Sequence, residues 1–168
     1  MASKTLRAAV FINWSMPLGF GHVGWGFEVS QGYFWFGAVE LTSSIMKGKG
    51  DNIALFNDYA TEKKMVAKMK SGDHGGSGFI YHAYKFVKVR NPNVAEPLKI
   101  VATAQKNGYG LLGNNCMDAT FRVIKAYANG DDKILPWPAT HWAPRTFFAD
   151  IPSPEITIQA EKKLFGFF

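Results

Sequence analysis

The sequence predicts an α+β domain in which an antiparallel sheet packs against helices, and three observations predict it. β-branched and aromatic runs crowd the first forty residues, helical periodicity takes over from Asp58, and strand and helix do not alternate as a parallel doubly wound sheet requires. No repeat or long linker divides the 168 residues. A single domain, 1–168, is therefore expected, with a mostly irregular C-terminal segment from about residue 130.

Each element has its own signal. Arg7 to Trp14 is a β-branched and aromatic run, followed by a loop, Ser15 to Gly21, that carries Pro17, Gly19 and Gly21. His22 to Val29 and Tyr33 to Leu41 flank Ser30-Gln31-Gly32 and form a hairpin. Tyr59, Met65, Val66 and Met69 recur at helical spacing among lysines, which predicts an amphipathic helix over Asp58 to Lys70 capped by Asn57 or Asp58. A glycine-rich loop, Gly72 to Gly78, leads into a strand over Phe79 to Val89 that Asn91-Pro92 breaks. A second helix covers Val94 to Lys106, with Pro97 in its first turn and Gly108 past its end. A third begins at Asn115 or Cys116, runs to Tyr127 and stops at Asn129-Gly130. Prolines from Pro136 to Pro154 then leave room for a helical turn around Arg145 to Ile151 and a short strand at Ile156 to Gln159.

Composition narrows the function. With 47% hydrophobic and 19% charged residues the chain can bury a core and lies outside the range of disorder. One cysteine, Cys116, rules out an intrachain disulfide framework. The N-terminal apolar run ends at Asn13, too short for a secretory segment, and no stretch approaches the roughly 18 apolar residues of a membrane helix. A cytoplasmic location is expected. The net charge of +6 is spread along the chain without an RNA-recognition or zinc-finger signature, so nucleic acid is not the expected partner. The four histidines and one cysteine lack zinc spacing, and Gly72 to Gly78 lacks the lysine of a phosphate loop.

Two residues carry the chemical reading. Cys116 follows Gly113-Asn114-Asn115 where a helix begins, so its sulfur is placed at a helix N-terminus, where free N–H groups and the helix dipole favour a thiolate. The same N–H groups, with Asn115 or Asn114, suit an oxyanion site. A buried, inert thiol is the competing reading of this position. His22 opens a strand in Gly21-His22-Val23-Gly24-Trp25, and Gly24 and Gly26 share its face, leaving an expected groove beside the imidazole. A three-residue turn at Ser30-Gln31-Gly32 sets Val29 opposite Tyr33 and Glu40 opposite His22, where a carboxylate would orient the ring.

Gly21-His22-Val23-Gly24-Trp25 at the start of a hairpin strand, with a downstream Asn115-Cys116 pair at a helix start, resembles the circularly permuted branch of the NlpC/P60 superfamily. Those are papain-like hydrolases and acyltransferases, lecithin retinol acyltransferase and its relatives among them. The resemblance implies a papain-like fold, Cys116 as nucleophile, His22 as general base, Glu40 as orienting group, and Asn115, Asn114, Gly24 and Trp25 near the oxyanion and substrate. It also implies a small-molecule or peptide-like acyl substrate, an acyl-enzyme, and no need of metal or cofactor. Met117 and Asp118 stand where the acyltransferases have an acid and a histidine. A binding module on the same fold, with thiol and imidazole unreactive, is the alternative. The oligomeric state is left open.

Overall fold

β-branched and aromatic residues dominate the segments that become strands, and the pairing among them decides where each ends. The computed structural model describes residues 4–15, 19–41, 53–73, 79–107, 109 and 115–158. Six strands, β1 (Thr5–Asn13), β2 (His22–Ser30), β3 (Tyr33–Leu41), β4 (Ile53–Thr61), β5 (Ala83–Arg90) and β6 (Glu155–Thr157), form one antiparallel sheet in the order β4-β3-β2-β1-β5-β6. The described helices are α1 (Glu62–Ser71), α2 (Glu96–Asn107), α3 (Cys116–Tyr127) and the short α4 (Pro144–Ala149). The architecture is α+β, and no helix among the described residues is long and apolar enough to cross a membrane.

Strand β4 is a correction to the expected order, because Asp58 to Thr61 belong to it rather than to the first turn of a helix. Tyr59 pairs with Trp35 and Thr61 with Tyr33 in the ladder with β3, and such cross-strand pairing overrides local helical periodicity. The helix begins one residue later, at Glu62, and ends at Gly72, whose φ of 72° closes a left-handed cap on Lys68 O. β5 starts at Ala83 rather than Phe79, since the preceding Tyr81 and His82 donate their N–H groups to Met69 O and Ile12 O. α2 starts at Glu96 because Asn93 Oδ1 accepts from Ala95 N and Glu96 N. Gln159 and the greater part of the Gly72 to Gly78 loop lie outside the described residues.

The sheet carries a core on each face. Ala8, Val10 and Ile12 of β1 and Val23, Trp25 and Phe27 of β2 pack with Val101 of α2, Phe121 and Ile124 of α3 and Phe147 of α4. On the other face Ala9, Phe11, Phe34 and Phe36 pack with Met65 and Met69 of α1. Strand alternation separates the two sets, and each helix supplies the apolar stripe that covers one of them. Lys85, one of a basic trio with Lys88 and Arg90, is buried and donates to Ala149 O and Ile151 O, 2.9 Å each, tying β5 to the end of α4.

The hairpin of β2 and β3 turns on two residues, Gln31 and Gly32, with Ser30 opposite Tyr33, instead of the three expected. An irregularity between Glu28 and Ser30 absorbs the difference, so Glu28 pairs with Phe34 and Trp25 with Gly37. Among the described residues the β2–β3 pairing ends at Trp25 and Gly37, three residues short of His22 and Glu40.

Candidate functional site

Cys116 is the first residue of α3, and its position is fixed by a capping box. Asn115 Oδ1 accepts from Met117 N and Asp118 N at 2.9 Å each, while Asp118 Oδ2 accepts from Asn115 N. The Asn115 side-chain oxygen thus serves the helix start that presents the sulfur. Asn114 lies outside the described residues.

The thiol is 2% exposed. Burial pushes it up to about 11, although the Val23 N–H, the Tyr109 hydroxyl and the Met117 N–H hydrogen-bond the sulfur and act the other way. Desolvation outweighs the helix N-terminus here, and the group is a thiol at neutral pH. The expectation of a resting thiolate is corrected accordingly.

His22, 1% exposed, is the first residue of β2. Gly21 before it has a φ of 88°, and a Cβ there would fall 2.6 Å from Arg145 Cγ, so only glycine fits. Arg145 holds the approach to the strand, donating from N to Phe20 O and from Nη1 to Gly19 O, both at 3.1 Å. The imidazole meets the Phe79 ring edge-on at 5.0 Å and the Tyr81 ring at 6.1 Å. Its Nε2 is buried without a hydrogen-bond partner among the described residues. Burial alone pulls His22 down to about 3, so imidazole and thiol are both neutral at pH 7.

Glu40 is fully buried, and Tyr81 donates its hydroxyl to Glu40 Oε1 at 3.2 Å. Burial, then the Glu40 charge and that of Cys116, hold the Tyr81 phenol well above its ordinary value. Tyr81 therefore touches both the carboxylate and the ring that the carboxylate was expected to orient. The Tyr109 phenol is likewise raised, first by burial and then by Cys116. One end of the sheet thus gathers Cys116, His22, Glu40, Tyr81 and Tyr109.

Two expected site residues have other work. A Cβ on Gly24 would meet Gly37 O at 2.9 Å, Met69 Cε at 3.1 Å and Ala38 Cβ at 3.2 Å, and one on Gly26 would meet Met65 Sδ at 3.0 Å. Methionines of α1 fill the groove expected beside the imidazole. Trp25 is fully buried in the core on the α3 side of the sheet, facing away from the side that Gly24 and Gly26 share.

Sequence reasoning missed Tyr81 and Tyr109. Tyr109, set between Gly108 and Gly110 just before the Cys116 helix, carried a legible signal, an aromatic hydroxyl in a glycine-flanked loop. Tyr81 carried none, being one aromatic in a run of them. Among the described residues no cluster of three His, Cys, Asp or Glu side chains is placed to hold a metal. No protein-family model, curated protein or solved structure matches the chain.

Proposed function

We propose that the chain is a thiol-dependent hydrolase or acyltransferase of the permuted NlpC/P60 kind, acting on an amide, ester or thioester through Cys116 and His22. One observation carries this reading. The sulfur at a capped helix start bonds the amide of Val23, the residue after His22, while the His22 Nε2 is buried and unpartnered. Trp25 Nε1 and Thr120 Oγ1 are likewise buried without a partner among the described residues, so the weight falls on the concentration of buried titratable groups around the sulfur, which is typical of a working site.

In the proposed reaction His22 takes the Cys116 proton as the sulfur attacks the carbonyl carbon. The tetrahedral oxyanion draws on the Cys116 N–H at the start of α3, the Met117 and Asp118 N–H groups being held by Asn115 Oδ1. Its collapse expels the leaving group, which takes the proton from His22 and leaves a thioester on Cys116. Water or a second acceptor, deprotonated by His22, then attacks the thioester and regenerates the thiol. Glu40 acts through Tyr81, which holds its proton throughout. A reducing, cytoplasmic setting would keep the single thiol free.

Incubation with p-nitrophenyl butyrate tests the proposal, with release of p-nitrophenol and mass spectrometry of the intact chain as readouts. A butyryl adduct of Cys116, with turnover falling at least about 100-fold in Cys116→Ser and in His22→Ala, is the expected result. Turnover unchanged in both variants, or absent from the native chain, would move the assignment to the binding module. The filled Gly24 and Gly26 positions and the near-complete burial of both side chains favour that second reading.

A further inference from the structure

A cleft along the outer stripe of α3, running from Asp118 of the capping box toward Lys125, has the make-up of a ligand site. Asp118, Arg122 and Lys125 recur at helical spacing along the outer stripe of α3, with Phe121 beside them. Trp137 and Pro138, at the start of a short 3-10 turn (Pro138–Thr140), stand over this stripe. The space between has a volume of about 270 Å³. That lies just below the usual range for ligand pockets, roughly 300–1,000 Å³, and suits a one- or two-ring aromatic molecule.

The walls are aromatic and the charge is polarised. Phe121 is buried, Trp137 is 50% exposed, and their rings meet edge-to-face at 5.1 Å, which leaves indole surface open to a guest. The Lys125 ammonium lies 5.9 Å from the Phe121 ring and 5.7 Å from the Trp137 ring, and makes no hydrogen bond or ion pair among the described residues. Arg122 donates Nε to Asp118 O at 3.3 Å. The only acid on the stripe, Asp118, is engaged in the capping box, and it lies seven residues, about 10 Å along the helix, from Lys125. The Lys125 end of the cleft therefore presents positive charge next to an apolar surface.

The geometry points to a binding site for a small aromatic carboxylate, its ring laid on Trp137 and Pro138 and its carboxylate on Lys125 with Arg122 beside it. The proposed ligand contacts, Lys125, Arg122, Trp137 and Pro138, do not include Cys116 or His22. Lys125 and Trp137 lie at the protein surface, so their replacement leaves the sheet and its cores intact.

The test is a titration of the whole chain with 2-naphthoate, and separately with the uncharged 2-naphthalenemethanol, followed by two-dimensional NMR of amide and indole N–H groups. The Trp137 indole signal is assigned from its loss in Trp137→Phe, and an otherwise unchanged spectrum shows that each variant is folded. The expected result is a saturable shift of the Trp137 indole and of α3 amides by 2-naphthoate. Affinity should fall by about tenfold in Lys125→Gln and by a similar factor for the alcohol. No saturable shift at Trp137, equal affinity for acid and alcohol, or an undiminished affinity in Lys125→Gln would each overturn the proposal.

Discussion

The two ends of β2 both bury a titratable side chain, and they treat it in opposite ways. At one end Glu28 is 3% exposed and its carboxylate is saturated: Arg7 N and Nε donate to Oε2 at 3.0 and 3.2 Å, and Arg7 Nη2 and Gly32 N donate to Oε1 at 3.1 and 2.6 Å. The Arg7 guanidinium also reaches Glu62 of α1 at 2.9 Å and lies over the Phe34 and Phe86 rings. At the other end His22 is as deeply buried and its Nε2 has no partner among the described residues. A saturated polar group holds strands and turn together; an unsaturated one lowers stability and persists where something else is gained from it. Trp25, between them on the same strand, also buries an Nε1 without a partner among the described residues, so the contrast lies between the two titratable groups themselves.

Removing the saturated group should have the largest effect. Glu28→Ala strands the Arg7 and Gly32 N–H groups and leaves the guanidinium with Glu62 alone. We expect a loss of about 3 kcal/mol at pH 7, the lower end for a broken buried pair because the Arg7 side chain is 33% exposed. Urea unfolding measures it. A loss below about 1 kcal/mol would erase the contrast between the two ends. Burial pushes the Glu28 carboxyl up, but the Arg7 and Gly32 hydrogen bonds and the Arg7 charge reverse this and leave it below its ordinary value. Its contribution is therefore present above the ordinary carboxylate range and is lost as pH falls through the depressed folded value.

Gly24→Ala probes the packing beside the imidazole. The nearest obstruction to a Cβ is the Gly37 carbonyl, which is backbone and cannot swing aside, with Met69 and Ala38 behind it. A loss of about 2 kcal/mol is expected from this overpacking. A neutral or stabilising result would mean that the β2–β3 interval is wider in solution, and would restore the groove beside His22 that the sequence suggested.

How much of this was legible follows from the range of each interaction. Alternation and periodicity are local, so the hairpin, the α3 start and the positions of Cys116 and His22 could be read from neighbouring residues. Register also survived an error in the turn, because the irregularity near Ser30 returned Glu28 to Phe34. What decides the site is not local. The Val23 amide reaches a sulfur far along the chain, Tyr81 donates to Glu40, and Met65 and Met69 arrive from a helix to fill the space that two glycines leave. A glycine reads identically in sequence whether its missing side chain opens a groove or admits a methionine. Glu28 gave no signal for the same reason: Arg7, its main partner, is on another strand and in no sequence motif with it.

The smallest effect, and the one that bears most directly on the orphaned imidazole, is that of His22→Leu. Replacing a buried ring whose Nε2 lacks a partner by an apolar side chain should stabilise the fold by about 1 kcal/mol at pH 7. The pH dependence is sharper. Burial lowers His22 from an ordinary 6.5 to about 3 in the folded chain, so on acidification the unfolded chain takes up a proton that the folded chain refuses. Stability from this group is whole above pH 6.5 and falls as the pH drops toward 3, by at most about 1.4 kcal/mol per unit. Glu28 titrates below this interval and the other histidines are common to both proteins, so the difference between the native and His22→Leu urea midpoints from pH 6.5 to 5 isolates His22. The native chain should lose more stability across that interval than His22→Leu. Parallel curves for the two proteins would mean that His22 is charged and partnered in solution, with Glu40 or the Cys116 sulfur drawn to it. The two ends of β2 would then differ in which partner they hold, no longer in whether they hold one.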